Sequence, residues 1–254
     1  VATIGDDSFY GCENMTSVTL PVSVTTIGNF AFRYCGSLTS VVIPESVTNI
    51  GEGAFSDCSS LTSITISESV TSIGKSAFFF CSNLTDVYIT DMDAWCRIDF
   101  GNYSATPMYC AQNIRLNGSK IASVTVPEGV TELKYTFYGF KDLIRVTLPK
   151  SLTGLGEKTF DNCTSLTNLT IPDGVTAIGD SACSGCSSLT SVTIPEGVTT
   201  IGISAFAECR RLTSVTIPKN VTAIGSSAFS DCTNLASITL PEGLTAINAR
   251  VFSS

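Results

Sequence analysis

The stretch Pro195–Phe206 reads P-E-G-V-T-T-I-G-I-S-A-F. Through Cys209, Leu212, Val215 and Ile217 the chain then reaches Pro218, 23 residues on, where the pattern starts again. Pro172 to Pro195 and Pro218 to Pro241 repeat that step. A fixed period in the range of roughly 20–50 residues marks a solenoid, in which each unit is one supersecondary element stacked on the next.

Aligned on the final Phe of the stretch, the rungs are Phe9, Phe32, Phe55, Phe78, Phe137, Phe160, Cys183, Phe206, Phe229 and Phe252. Three residues after each comes Cys12, Cys35, Cys58, Cys81, then Phe140, then Cys163, Cys186, Cys209 and Cys232. Ile-Gly precedes most rungs, and Asn248 replaces that Gly in the last unit. Gly and Asn tolerate a left-handed backbone, which predicts a tight left-handed turn at this position in every coil. Ser191-Val192-Thr193-Ile194 alternates as a half-buried strand does, and Pro195 closes it because proline lacks the N–H a ladder needs. A second extended piece, Val198–Ile201, precedes the glycine. Each buried Phe contributes on the order of 1.5–3 kcal/mol, so the Phe column is expected to be buried end to end.

The period breaks twice. Pro127 to Pro149 is 22 residues, and Thr90 (at a Pro position) to Pro127 is 37, which is 14 over the period. The reading is repeats over 1–90, an insertion over 91–120 and repeats over 121–254, in one continuous solenoid domain whose two ends both fall inside a repeat. Within the insertion, residues 91–96 predict a short helix with an acidic start and 104–112 a second one with Pro107 in its first turn. Asn117-Gly118 between apolar-polar runs predicts a hairpin. Trp95 and Phe100 are expected to pack on the solenoid, with Phe79 and Phe80 as a docking surface.

The chain is 43% hydrophobic and only 14% charged, too apolar for disorder. A net charge of −8 argues against nucleic acid and anionic membrane surfaces as partners. No apolar run approaches the ~18 residues of a spanning helix. There is no His, which removes the commonest general base and metal ligand, and no catalytic residue, metal or cofactor is expected. Cys183-x-x-Cys186 looks like a zinc or redox half-site, but no second pair exists and Cys183 fills a Phe slot. The eleven cysteines are an odd number with eight at one repeat position, which reads as a packing column. Isolated bridges such as Cys96–Cys110 stay open at this level.

The outward strand positions are mostly Ser and Thr. Large or charged side chains break the pattern at Asp86, Tyr88, Arg145 and Asn168, beside the insertion. These four, with Trp95, Tyr103 and Tyr109 of the insertion, are the candidate binding residues, because Tyr and Arg are enriched at binding hot spots. Asp86 and Arg145 lie two rungs apart, about 10 Å at the strand spacing, too far to pair with each other, and both are expected to remain free for a partner. The alternatives are a spacer that displays another domain, and a carbohydrate-binding face on the exposed aromatic rings.

The run L-x-x-V-x-I-P-x-x-V-T-x-I-G-x-x-A-F-x-x-C, seen across Leu189–Cys209, resembles the BspA-like (Treponema-type) leucine-rich repeat. The resemblance covers essentially the whole chain and extends to the insertion. It implies a leucine-rich-repeat solenoid: a curved right-handed coil of ten ~23-residue repeats with parallel strands on its concave face. It also implies a bacterial surface or secreted protein outside the cell, an adhesin that binds a host protein or another cell; a glycan is the other candidate partner, and the chain is expected to be a monomer. The departures are Cys183 for Phe, Phe140 for Cys, and Thr136, Thr159 and Val251 for Ala.

Overall fold

The computed structural model describes residues 2–244 and 246–253, and the chain divides into two compact units, Val1–Ile121 and Ala122–Ser254. The first unit holds β1 (Thr3–Ile4), β2 (Thr26–Ile27), β3 (Ser40–Val42), β4 (Asn49–Ile50), β5 (Ser63–Ile66), β6 (Ser72–Ile73) and β7 (Asp86–Ile89). It continues through α1 (Met92–Trp95), β8 (Asp99–Phe100), β9 (Asn113–Leu116) and β10 (Ser119–Lys120). Two sheets result, in the orders β1-β2-β4-β6-β8 and β3-β5-β7-β9-β10. Like stacks on like: Ile4, Ile27, Ile50, Ile73 and Phe100 form one column, and only β10 runs antiparallel.

The second unit begins with β11 (Ser123–Thr125), β12 (Glu132–Leu133), β13 (Arg145–Thr147), β14 (Gly154–Leu155), β15 (Asn168–Thr170) and β16 (Ala177–Ile178). It ends with β17 (Ser191–Thr193), β18 (Thr200–Ile201), β19 (Ser214–Thr216), β20 (Ala223–Ile224) and β21 (Ser237–Thr239). One parallel sheet runs β12-β14-β16-β18-β20, whereas the strand face joins only in pairs, β11-β13, β15-β17 and β19-β21. Each unit is thus a parallel-strand solenoid built on the expected period. The turn after the strand is P-E-G-V or its equivalent, closed by a bond such as Val198 N to Pro195 O at 3.1 Å.

The third side of each coil is a run of turns around the ladder Phe. Its amides reach the next coil, as in Phe32 N to Ala54 O and Phe206 N to Ala228 O, both 2.8 Å. The structure corrects the reading of the ladder glycines here. The left-handed residues lie two before and two after the Phe, for example Ser76 (φ 55°) and Phe80 (φ 57°). Gly28, Gly51, Gly74, Gly156, Gly179, Gly202 and Gly225 are not left-handed. Glycine is needed there for closeness: a Cβ on Gly51 would stand 2.5 Å from Gly28 C, and one on Gly225 2.4 Å from Ile203 N. No backbone atom can swing aside to admit it.

The interior ladder Phe residues are 0–1% exposed, and their rings stack nearly parallel at 5.0–5.6 Å. Burial does not extend end to end, because Phe9 is half-buried and Phe252 is 37% exposed, each with one ladder neighbour instead of two. Cys183 sits fully buried in the Phe column. The cysteine column does more than fill space. From Cys35 on, each column thiol donates to the carbonyl of the ladder residue one coil earlier, as in Cys58 to Phe32 O and Cys163 to Phe137 O, both 3.1 Å. Thr159, at an Ala position, offers its hydroxyl to Leu133 O at 2.8 Å in the same manner. Those carbonyls also accept backbone amides, as Phe32 O does from Cys35 N and Leu133 O from Gly156 N, so what the contact supplies is a partner for the buried thiol or hydroxyl.

All eleven cysteines are free, Cys96 and Cys110 included. Burial pushes Cys35 up to about 11 and Cys58 and Cys96 to about 12. Cys81 and Cys163 are moved well above the ordinary range by the same desolvation. Cys232 moves down, because the Cys209 thiol hydrogen-bonds it. The thiolate is the reactive form. Native protein at pH 8 is therefore expected to react with a thiol reagent fastest at Cys12, which is half-buried, and Cys232, the lowered one, and more slowly at Cys110, which is half-buried but raised by desolvation. In denaturant all eleven should react. A raised folded pKa means stability is fully present below the ordinary value of 9.0 and is lost as pH rises toward about 12. Quantitative thiol labelling with mass mapping checks the first point, and alkaline unfolding curves the second.

The stretch read as an insertion forms a coil of its own. Asp99 and Phe100 of β8 pair with Ser72 and Ile73, and Gly101 N reaches Ile73 O at 2.9 Å as a ladder glycine does. Phe78 N reaches Ser104 O, the Cys110 thiol reaches Phe78 O at 3.4 Å, and β9 pairs with β7 in register. Asp91 caps α1 by accepting from Ala94 N at 2.7 Å, and Pro107–Tyr109 is a 3-10 turn capped by Thr106. Asn117 (φ 48°) and Gly118 (φ 80°) make the hairpin turn into β10. Ala105 stands where other coils have Phe, and the apolar volume comes from Trp95, Phe100 and Met108, which are 1%, 3% and 2% exposed.

Candidate recognition surface

On the strand face of the first unit the outward pairs are Ser40 and Val42, Ser63 and Thr65, Asp86 and Tyr88, and then Asn113 and Arg115. The face is plain until β7. There Tyr88 lies in register with Arg115 of β9, and Asp86 with Asn113. Tyr88 is 37% exposed. Asp86 is not free, which corrects the expectation from sequence: Arg115 Nε donates to its Oδ1 at 3.3 Å and Thr85 Oγ1 to its Oδ2 at 2.9 Å. The pair is three-quarters buried on the Asp86 side, so it holds the guanidinium of the residue that lies in register with Tyr88. Arg115 was missed in the sequence, although the alternation Asn113-Ile114-Arg115-Leu116 marks it as outward on a strand.

Trp95 is buried, with its ring 5.3 Å from Phe100, and therefore presents no contact surface. Tyr103 and Tyr109 come together at 5.5 Å, and Tyr109 stacks on Phe79 at 5.8 Å, so their ring contacts run to the Phe-turn side of the coils. Burial moves the Tyr109 hydroxyl upward in pKa.

In the second unit Arg145 and Asn168 are both exposed, at the starts of β13 and β15. Those two strands do not pair. Val126 N reaches Thr147 O at 2.9 Å and Ile171 N reaches Thr193 O at 3.1 Å, but among the described residues Leu148 N makes no such bond to Thr170 O. The strands part into a cleft of about 600 Å³, with Leu148 and Val146 half-buried in its wall and Lys150 and Asp173 among its lining residues. Among the described residues no three His, Cys, Asp or Glu side chains converge on a metal-binding geometry. None of their helices is long and apolar enough to cross a membrane.

Comparison with known proteins agrees with this geometry. A leucine rich cell surface protein from Faecalibacterium prausnitzii is 30% identical over 94% of this chain and 73% of its own, with a TM-score of 0.56. A leucine-rich repeat protein from Bacteroides ovatus is 28% identical over 96% of this chain, which spans 65% of that protein, with a TM-score of 0.56. One from Eubacterium ventriosum shares the fold at 20% identity and a TM-score of 0.58, over 93% of this chain and 79% of that one. No curated protein sequence matches the chain. The BspA type leucine rich repeat region matches in six copies over residues 1–98, 112–217 and 153–254, a span interrupted only within the divergent coil, and the chain belongs to that family.

Proposed function

We propose that the chain is a non-enzymatic recognition module of a bacterial surface or secreted protein, and that it binds a protein partner through the strand face at Tyr88 and Arg115. One observation carries this reading. On a face of small hydroxyl side chains, an exposed Tyr and an Arg lie in register on neighbouring strands, with the Arg already held by Asp86. A guanidinium fixed before binding loses less freedom on contact, and Tyr and Arg supply most hot-spot energy. Arg145 and Asn168 mark a separate candidate contact on the second unit. The family and the cell-surface relative support adhesion to a host or neighbouring cell as the setting of that contact. Tyr88 is the one aromatic ring among the outward strand positions, which favours a protein over a glycan at this face.

The test is adhesion of beads coated with the chain to epithelial monolayers and to bacterial cells. Tyr88→Ala with Arg115→Ala is expected to lower adhesion about tenfold, from a loss of roughly 1–2 kcal/mol at two hot-spot residues. Adhesion untouched by the double change refutes this placement. A parent chain that adheres to neither surface refutes the recognition reading and favours a spacer.

A further inference from the structure

Two sides of the second unit's coils are hydrogen-bonded differently. On the back, β12-β14-β16-β18-β20 is one parallel sheet that crosses every coil. On the strand face the bonding stops at every second coil, which leaves the blocks β11-β13, β15-β17 and β19-β21. One bond recurs at the end of each block. Val126 N reaches Thr147 O at 2.9 Å, and Ile171 N reaches Thr193 O and Ile217 N reaches Thr239 O, both at 3.1 Å. Its equivalents across the breaks, Leu148 N to Thr170 O and Ile194 N to Thr216 O, are absent among the described residues. Clefts of about 600 Å³ and 250 Å³ open there.

Burial follows the same alternation. Val124, Leu169 and Val215, inward on the first strand of each block, are 3%, 1% and 4% exposed. Val146 and Val192, inward on the strands that border the breaks, are only half-buried, and so is Leu148. Closing a break would bury these side chains and pair the facing backbone groups, two gains that the open face forgoes. The rest of each coil stays tied across both breaks. At the first, Gly179 N reaches Leu155 O at 2.7 Å on the back sheet and Phe137 N reaches Thr159 O at 3.0 Å on the Phe side. At the second, Gly225 N reaches Ile201 O at 2.8 Å and Cys183 N reaches Ala205 O at 2.7 Å. The first break is a wedge, because Thr167 N still reaches Ile144 O at 3.2 Å at the strand starts.

We propose that the strand face of the second unit is a clasp with two joints, which closes between β13 and β15 and between β17 and β19 while the back sheet serves as the hinge. A stack fixed along two sides and released along the third can move only by opening and closing that third side. Each coil contacts only its neighbours, so the two joints work independently. The first unit has no such joint, since its strand face runs unbroken through β3-β5-β7-β9-β10. Arg145 and Asn168 begin the strands on opposite banks of the first joint. Closure therefore changes their separation, and a partner that touches both selects one state of the face.

Two cysteine pairs and hydrogen exchange test the clasp. Thr147→Cys with Thr170→Cys places thiols across the first joint, and Thr125→Cys with Thr147→Cys, in a second protein, places them inside the first block. All three threonines are exposed, and peptide mass mapping separates the new bridge from the eleven native thiols. In a glutathione redox buffer the bridge across the joint is expected to form about tenfold more slowly than the one inside the block, because only the closed face brings its sulfurs within bonding reach. In the parent chain the Leu148 and Ile194 amides should exchange at least about tenfold faster than those of Val126, Ile171 and Ile217. The bridged joint should protect Leu148 about tenfold and leave Ile194 unchanged, and reduction should reverse the effect. A bridge that never forms across the joint means a rigid gap and overturns the proposal, as does a bridge that leaves Leu148 unprotected. Bridging as fast as inside the block, or equal protection of Leu148 and Val126, means that no joint exists and overturns it too.

Discussion

Gly74→Ala is expected to destabilise the protein by about 3–4 kcal/mol, an effect larger than any propensity difference between the two residues allows. A Cβ on Gly74 would stand 2.4 Å from Glu52 N and 2.6 Å from Gly51 C, both backbone atoms of the preceding coil. To admit it the coils must part, and the Gly74 N to Ile50 O bond at 2.8 Å goes with them. Gly118 gives the contrast. It is left-handed (φ 80°), and a Cβ there would meet nothing within 4 Å, so Gly118→Ala should cost only about 1 kcal/mol. Gly74→Asn separates the two explanations. A left-handed slot would tolerate Asn, whereas a contact slot rejects it as it rejects Ala. Denaturant midpoints at constant m decide the matter, and tolerance of Asn at 74 would refute the contact account.

The chain contains its own version of that substitution. Asn248 occupies the ladder-glycine slot of the last coil, and there its side-chain Nδ2 donates to Ile224 O at 2.6 Å. One coil earlier the corresponding bond is made by the backbone, Gly225 N to Ile201 O at 2.8 Å. The side-chain amide stands in for a backbone that a Cβ keeps at a distance, and among the described residues no strand pairs with β20 from that coil.

The period, the two strands per coil and the Phe and Cys columns were legible because each follows from local patterning repeated in register. The ladder glycine misleads because left-handedness and close approach call for the same residue. The true left-handed slots carry Ser, Lys, Asp, Tyr and Phe, so composition does not reveal them. The divergent coil hid for a different reason. Its glycine, Gly101, is 27 residues after Gly74 where the period demands 23, and its Phe slot is Ala105. The ion pair of Asp86 with Arg115 depends on the register of β7 against β9, which only a folded coil sets. The cleft between β13 and β15 was beyond reach, since Arg145–Leu148 repeats the same polar-apolar alternation as strands that do pair.

Phe206→Ala is expected to cost about 3–5 kcal/mol, the range for truncating a fully buried aromatic side chain that leaves a cavity. The ring is 0% exposed and stacks on Phe229 at 5.3 Å with 10° between planes. Its other ladder neighbour is Cys183, whose smaller side chain already thins the column, so no ring on that side can move in to refill the space. The backbone around it cannot collapse without loss either. Phe206 N is held by Ala228 O at 2.8 Å, and Phe206 O accepts from the Cys232 thiol at 3.2 Å. Phe252→Ala supplies the reference. That ring is 37% exposed and stacks on one neighbour only, so its loss should cost about 1 kcal/mol. Because each coil contacts only its neighbours, the Phe206 cavity should weaken amide protection first in the coils of Cys183 and Phe229, which hydrogen exchange can read alongside the midpoint. A loss below about 1 kcal/mol at Phe206 would mean that this column is not where the coils derive their cohesion.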